Sequence, residues 1–276
     1  MFKEFYQPSS AEEAVKLRRD KAASAYLGGG TILNTISYEK EVPQEKQAEC
    51  IISLSGLPLH EIESTPSELV IGACVTLQEL LESEAVYPAL KEATALIVNR
   101  NIRNIGTIGG NVAFRGSTCN VAAMLLAMEA SLEIMESSGK IKTVSLDSYN
   151  KEGKADDLIL RIHIPAAAAS MNFAVRRYCR TQNDISILLA YALIKGTAEK
   201  IEEVRLVMGG VDALPVRLSS IEKKLEGSGL IDRDGLAAEI KAVIHPIADL
   251  RGGAEFKREA GSQIAAWTVY KALGQL

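Results

Sequence analysis

Metal-ligand spacing is missing from this sequence. The four cysteines, Cys50, Cys74, Cys119 and Cys179, are scattered, and no two stand in the CxxC arrangement of a zinc or iron–sulfur site. Such scatter suits a reducing compartment. Only three histidines are present, His60, His163 and His245, far apart, so each reads as structural rather than as a metal ligand. No metal site is expected. Net positive charge is also lacking: the formal charge is −4, which leaves no global basic footprint for nucleic acid. The short basic clusters "NRNIRN" and "RRYCR" lack interleaved aromatics. The longest apolar run, "VAAMLLAM", is far below a membrane span, and "MFKEFYQPSS" has no apolar signal core, so a soluble, cytoplasmic protein is expected. No Ser-His-Asp set and no paired carboxylates suggest a nucleophile or general acid.

What is present is an ordinary globular composition, 47% hydrophobic and 24% charged over 276 residues, long enough for two or three compact units. "PSSAEEAVKLRRD" carries a capping-box pattern, Ser9 to Glu12 or Ser10 to Glu13, and predicts a first helix. "AYL" and "CIISLSGL" read as strands, "EIES-TPSE-LVIGA" as a hairpin, and a helix is expected to start near Thr76. "YPALKEATALIV" has helical spacing. The long polar segment "NRNIRNIGTIGGNVAFRGSTCN" has little periodicity and reads as a functional loop. Asn120 is placed to cap the helix "VAAMLLAME". "SLEIM-ESSGK-IKTVSL" predicts strand, tight turn, strand, and "DLILRIHIP" a further strand. "PAAAAS" is a seam. Beyond it, "NFAVRRYCR" and "KIEEVRLVMGGV" read as strands, "DISILLAYALI" as a helix or buried segment, and the remainder as helices, the last of them long.

Two glycine loops stand out. "LGGGT" places Gly28, Gly29 and Gly30 directly after an apolar segment; "IGTIGGN" places Gly106, Gly109 and Gly110 among Thr107 and Asn111. Neither has the spacing of a dinucleotide fingerprint or a P-loop. Successive bare amides nevertheless form a nest for an anion, and the missing side chains allow a diphosphate to approach. Two such loops can clamp one pyrophosphate, with Arg103 adding charge beside it. The plainer alternative is that both are turns between strands and helices.

These stretches also resemble a family. "YLGGGTILNT" is similar to the first flavin loop, and "IRNIGTIGGNVA" to the second, of the FAD-binding subunits of molybdenum hydroxylases, the xanthine dehydrogenase and carbon monoxide dehydrogenase flavoproteins. "RYCRTQNDIS", "MGGVDALPVRLSSIEKKLEG" and "HPIADLRGGAEFKRE" resemble motifs of that family's C-terminal domain, in the same order. The resemblance implies an α+β fold. A two-lobed FAD-binding domain of the PCMH/vanillyl-alcohol-oxidase type would span residues 1–165, in lobes of about 1–57 and 58–165. A C-terminal domain, a sheet flanked by helices, would span 171–276.

By the same resemblance, Leu27, Gly28, Gly29, Gly30, Thr31, Ile32, Leu33 and Asn34 would line the diphosphate and adenine side of FAD. Thr107, Gly109, Gly110 and Asn111 would meet the diphosphate from the second loop, Asn120 would lie near the ribityl or phosphate region, and Ile159 would be an apolar flavin-side position. Arg177, or its neighbour Arg176, matches a lysine near the isoalloxazine. Three departures stand here: Ile32 and Asn120 replace aspartates, and Gly116-Ser117 replaces Ser-Pro beside a bulky Arg115. The implied role is oxidoreductase electron transfer. Partners would be a molybdopterin-binding large subunit and a [2Fe–2S] small subunit, with electrons leaving through FAD to NAD or another acceptor. The alternative is a non-catalytic assembly subunit that has lost tight FAD binding.

Overall fold

Ser10 begins the first helix, α1 (Ala11–Asp20), by accepting a hydrogen bond from the Glu13 amide, while the Glu13 carboxylate reaches back to the Ser9 amide at 2.8 Å. Glu12 and Glu13 sit in its first turn and Arg18 and Arg19 in its last, both favourable to the helix dipole. Its Ala14 and Val15 are buried. The helix joins β1 (Glu4–Tyr6) to β2 (Ser24–Leu27), which flank β3 (Cys50–Ser53) in a parallel sheet of order β1-β3-β2. Parallel pairing demands such a crossover. The computed structural model describes residues 2–21, 23–33 and 48–276.

The hairpin over 62–72 forms as expected. β4 (Ile62–Ser64) pairs antiparallel with β5 (Glu68–Gly72), and the Thr65 hydroxyl holds the turn by accepting from the Ser67 and Glu68 amides. Thr76 caps α2 (Leu77–Glu82) in a full capping box with Glu79. The segment read as a functional loop is instead largely helical. After α3 (Pro88–Ala95), Asn99 caps α4 (Arg100–Ile105), and Thr107 caps α5 (Ile108–Ala113). Helices this short leave too few positions for a period to show, which is why the pattern hid them. The Asn120 cap is likewise corrected: Cys119 occupies the cap position of α6 (Asn120–Ala127), and Asn120 is its first helical residue.

β6 (Ser131–Met135) and β7 (Ile141–Ser145) pair antiparallel around Gly139, whose φ of +84° suits the turn. α7 (Leu146–Glu152), which the sequence reading missed, precedes β8 (Leu158–Pro165). These strands complete a five-stranded sheet of order β4-β5-β8-β6-β7. The chain packs as two units, the first comprising Met1–Val86, Asn99–Phe114 and Ser131–Ile164. One core cluster joins that unit's two sheets, with Val15, Cys50 and Ile52 packed among Cys74, Met135, Leu158 and Leu160.

The second unit takes Tyr87–Val98, Arg115–Ala130 and Pro165–Leu276. After a short 3₁₀ turn over Ala166–Ser170, β9 (Asn172–Tyr178), β10 (Leu188–Gly196), β11 (Ile201–Gly209) and β12 (Val216–Arg217) form an antiparallel sheet of order β12-β11-β10-β9. β10 is the segment read as a helix or buried stretch. Residues 188–194 are all buried because both faces are covered. Leu188, Ala190, Ala192 and Ile194 pack under α8 (Ser219–Leu225), α9 (Arg233–Val243) and α10 (Ala254–Ala272). The opposite face, bearing Leu189 and Tyr191, meets α6. Among the described residues, no helix is long and apolar enough to cross a membrane.

Candidate functional site

Both glycine loops lie in the first unit, and they touch. β2 ends at Leu27 and the chain turns through Gly28, Gly29 and Gly30, the last with φ +69°. A Cβ built on Gly29 would stand 1.7 Å from the Ile105 carbonyl oxygen; one on Gly28 would stand 2.6 Å from Thr107 Oγ1. The bare backbone is thus required for one loop to close on the other.

The two loops differ in what their amides do. In the second, Gly106 N–H donates to Ile102 O (2.7 Å), Ile108 to Val75 O (2.9 Å), and Gly109 to Ala73 O (2.9 Å). Gly110 N–H donates to Thr107 Oγ1 at 3.1 Å, and Asn111 N–H to Thr107 O at 3.0 Å. In the first, no acceptor among the described residues takes the Gly28, Gly29 or Gly30 amide. Three consecutive amides without partners, beside a rigid wall, fit an anion that supplies several acceptor oxygens, such as a dinucleotide's diphosphate. The expected pair of nests is therefore one open nest and one buttress. The carbonyls of Ala73 and Val75, which anchor the second loop, were not foreseen. Gly109 was their signal, since a Cβ there would fall 2.6 Å from Ala73 O.

Around the nest, Ile32 and Ile105 are exposed. Arg103 is half-buried on α4, and its Nε donates to Gln78 Oε1 at 2.9 Å. Thr31 and Leu33 are half-buried beside the loop, and Asn34 lies outside the described residues. Asn111 is half-buried on α5. Ile159 is buried on β8, opposite Ile134, on the face away from Leu158 and Leu160.

Asn120 and Arg177 belong to the second unit. Asn120 is buried and its Oδ1 accepts from the Ser186 hydroxyl at 3.2 Å. Arg177, on β9, donates to the carbonyls of Leu96 and Gln182, each at 2.5 Å. Arg176 points to the other face and stacks its guanidinium on Trp267, 4.5 Å from the ring centroid. The two arginines that the sequence left as alternatives are therefore separated by the pleat. Tyr191 shares the Arg177 side; its hydroxyl is buried with no hydrogen-bond partner among the described residues, and burial pushes its pKa up. Burial also pushes the Cys119 thiol up to about 11. No group of three or more histidine, cysteine, aspartate or glutamate side chains among the described residues is placed to hold a metal ion.

Comparison with known proteins agrees with this architecture. Residues 1–167 match the family model described as the FAD binding domain in molybdopterin dehydrogenase, and residues 173–272 match the CO dehydrogenase flavoprotein C-terminal domain. The chain is 29% identical over 260 residues to the uncharacterized protein YgfM of Escherichia coli K12, covering 94% of this chain and 92% of that one. It is 26% identical over 283 residues to the carbon monoxide dehydrogenase medium chain of Hydrogenophaga pseudoflava, covering 96% of each. A solved carbon monoxide dehydrogenase structure from Hydrogenophaga pseudoflava superposes with a TM-score of 0.91 at 25% identity, covering 100% of this chain and 98% of that one. The fold is α+β, and the chain belongs to the family of FAD-binding flavoprotein subunits of molybdopterin dehydrogenases, oxidoreductases of the molybdenum hydroxylase class.

Proposed function

We propose that this chain is the electron-transferring flavoprotein subunit of a xanthine dehydrogenase-like complex. Electrons from [2Fe–2S] clusters on a small subunit would leave through its FAD to NAD or another acceptor, and a molybdopterin-binding large subunit would carry out the hydroxylation. The observation that carries this reading is the open amide nest at Gly28–Gly30, backed by the self-satisfied second loop. In this assignment the FAD-binding domain spans 1–165, in lobes of about 1–57 and 58–165, and the C-terminal domain spans 171–276. The nest holds the diphosphate, with Leu27 and Thr31 to Asn34 lining the adenine side. Thr107, Gly109, Gly110 and Asn111 support it from the second loop, Arg103 adds charge, and Asn120 and Ile159 are further cofactor-side positions. Bound FAD supplies reversible one- and two-electron chemistry; the chain contributes placement and electrostatics.

Arg177 is the group assigned to stabilise negative charge on reduced flavin, because its guanidinium is held by two carbonyls. An Arg177→Met substitution would then lower the flavin reduction potential. The test of the whole reading is purification from the native host with visible spectroscopy. Near-stoichiometric flavin together with a molybdenum subunit and an iron–sulfur subunit supports it. A colourless chain that still assembles but refuses added FAD supports the second reading, a non-catalytic assembly subunit. That second reading is favoured by the uncharged Ile32 and Asn120 at positions where the family resemblance expects carboxylates.

A further inference from the structure

Tyr191 carries a hydroxyl that packing does not need. The side chain lies within β10 at 0% exposure, and phenylalanine would fill the same space. Its Oη is buried and has no hydrogen-bond partner among the described residues. Elsewhere in the same unit, Tyr270 donates its hydroxyl to the Ile231 carbonyl at 2.8 Å, as a tyrosine packed into a protein ordinarily does. An unmade hydrogen bond at a buried polar group is destabilising, so a hydroxyl kept in such a place calls for a partner or a task.

The strand register places a partner next to it. Leu189 faces Arg177 across the β9–β10 pair and Tyr191 faces Val175, so Arg177 is the diagonal neighbour of Tyr191 on one face of the sheet. Diagonal neighbours stand roughly 7–8 Å apart at the backbone, within reach of one another when both side chains are long. α6 covers this face, with the buried Cys119 at its cap position. The fields of Arg177 and of the Cys119 thiol both reach the hydroxyl, and burial holds it in its neutral form. A guanidinium has five N–H groups. The Leu96 and Gln182 carbonyls take two of them here, and among the described residues no carboxylate or other acceptor takes the rest. A neutral phenol accepts from such a donor directly or through one water, and donates onward. A buried water needs about 2–4 polar partners. The free N–H groups of Arg177, the Tyr191 hydroxyl and the Cys119 sulfur can supply them.

We propose that Tyr191 is a positioning residue for Arg177: one ordered water joins its hydroxyl to the guanidinium and, with the Leu96 and Gln182 carbonyls, fixes the direction in which the cation faces. The inference rests on the assignment of Arg177 to reduced flavin given above. Its test compares the full-length wild-type chain with Tyr191→Phe, Arg177→Met and the double variant. Two quantities are read: the thermal midpoint of the flavin-free chain, and the reduction potential of bound FAD by spectroelectrochemical titration. Tyr191→Phe is expected to lower the midpoint by about 2–4 °C, the scale of one buried hydrogen bond lost in a chain of this size. It should also shift the potential down by part of the Arg177→Met shift, and add no further shift in the Arg177→Met background. A midpoint that stays level or rises shows a hydroxyl without a bridge and overturns the inference. So does a potential that Tyr191→Phe leaves unchanged while Arg177→Met moves it, or one that it shifts equally in both backgrounds. A potential unmoved by Arg177→Met, or a wild type that takes no FAD, removes the Arg177 assignment and this inference together.

Discussion

Replacing Gly29 by alanine tests the contact on which the candidate site is built. The new Cβ would lie 1.7 Å from the Ile105 carbonyl oxygen and 2.5 Å from its carbon, where 3.0 Å is the floor for real contacts. The obstacle is backbone, so no rotamer relieves it. The loops must part by about 1.3 Å, and Ile105 is tied down by neighbouring bonds: Gly106 N–H on Ile102 O at 2.7 Å and Leu77 N–H on Gly106 O at 2.8 Å. Overpacking costs about 1–3 kcal/mol, and one strained or lost hydrogen bond adds about 1 kcal/mol. A loss of about 3 kcal/mol is therefore expected, which lowers the unfolding midpoint by roughly 6–12 °C for a chain of this size. FAD affinity should fall by at least about tenfold, equivalent to 1.4 kcal/mol, because the nest shifts against its wall. Gly110→Ala is the matched control: its Cβ meets only Thr107 Oγ1, at 3.0 Å, and alanine recovers about 1 kcal/mol of helix propensity. Differential scanning calorimetry and fluorescence titration with FAD give the two numbers. An unchanged midpoint for Gly29→Ala refutes the loop–loop contact, and a lowered midpoint with unaltered FAD affinity refutes the nest as the cofactor site.

Three further outcomes follow from other contacts. Gly28→Ala should be less costly in a Thr107→Ala background than alone, since the clash at 2.6 Å is with Thr107 Oγ1; a double-mutant cycle should show a coupling above about 0.5 kcal/mol, and strict additivity would disprove the contact. Glu222→Ala should destabilise the second unit by about 1–3 kcal/mol in chemical denaturation. The buried Glu222 carboxylate accepts from the Leu206 amide at 2.8 Å and from Arg217 at 2.9 and 3.1 Å; its removal leaves the Leu206 amide without that acceptor, while Arg217 keeps Glu129. Thiol alkylation followed by mass spectrometry should mark Cys179 first. Cys74 and Cys119 are buried with thiols pushed up to about 11, so about one molecule in a thousand is thiolate at pH 8. Their labelling should rise about tenfold per pH unit up to that value while the fold holds, and fast labelling of Cys119 at pH 8 would contradict its burial.

The helix starts were legible because their chemistry is local. Ser10 and Thr76 each sit three residues ahead of a glutamate; Thr76 and Glu79 form the full capping box, while Ser10 accepts from the Glu13 amide and the Glu13 carboxylate takes the Ser9 amide. The hairpins were legible for the same reason, as alternation and turn residues lie next to one another in sequence. β10 was not, because its evidence is tertiary. Leu, Ala and Ile at 188–194 suit a helix as well as a strand, and only the covering of both faces by helices from distant parts of the chain decides between them. Asn120 failed as a cap for a related reason. Its amide oxygen has a partner 66 residues away, Ser186, and the cap position falls one residue earlier, at Cys119.

At the site itself, the residue types and the mutual approach of the two glycine runs were legible, but not the division of labour between them. Sequence shows that a glycine is present, not whether it is there for a ligand, a neighbour or a turn. The three roles separate only when each missing Cβ is built back. At Gly29 it meets protein backbone, at Gly110 it meets a hydroxyl that caps the residue's own helix, and at Gly30 the constraint is the positive φ. Glycine in these loops thus answers first to the packing of protein on protein, and the proposed diphosphate would take the amides that this packing leaves open. On that proposal, FAD affinity and loop stability depend on the same contact. A substitution at Gly28 or Gly29 that kept full stability while abolishing FAD binding would require the nest to move without its wall, which the Ile105 carbonyl and the Thr107 hydroxyl forbid.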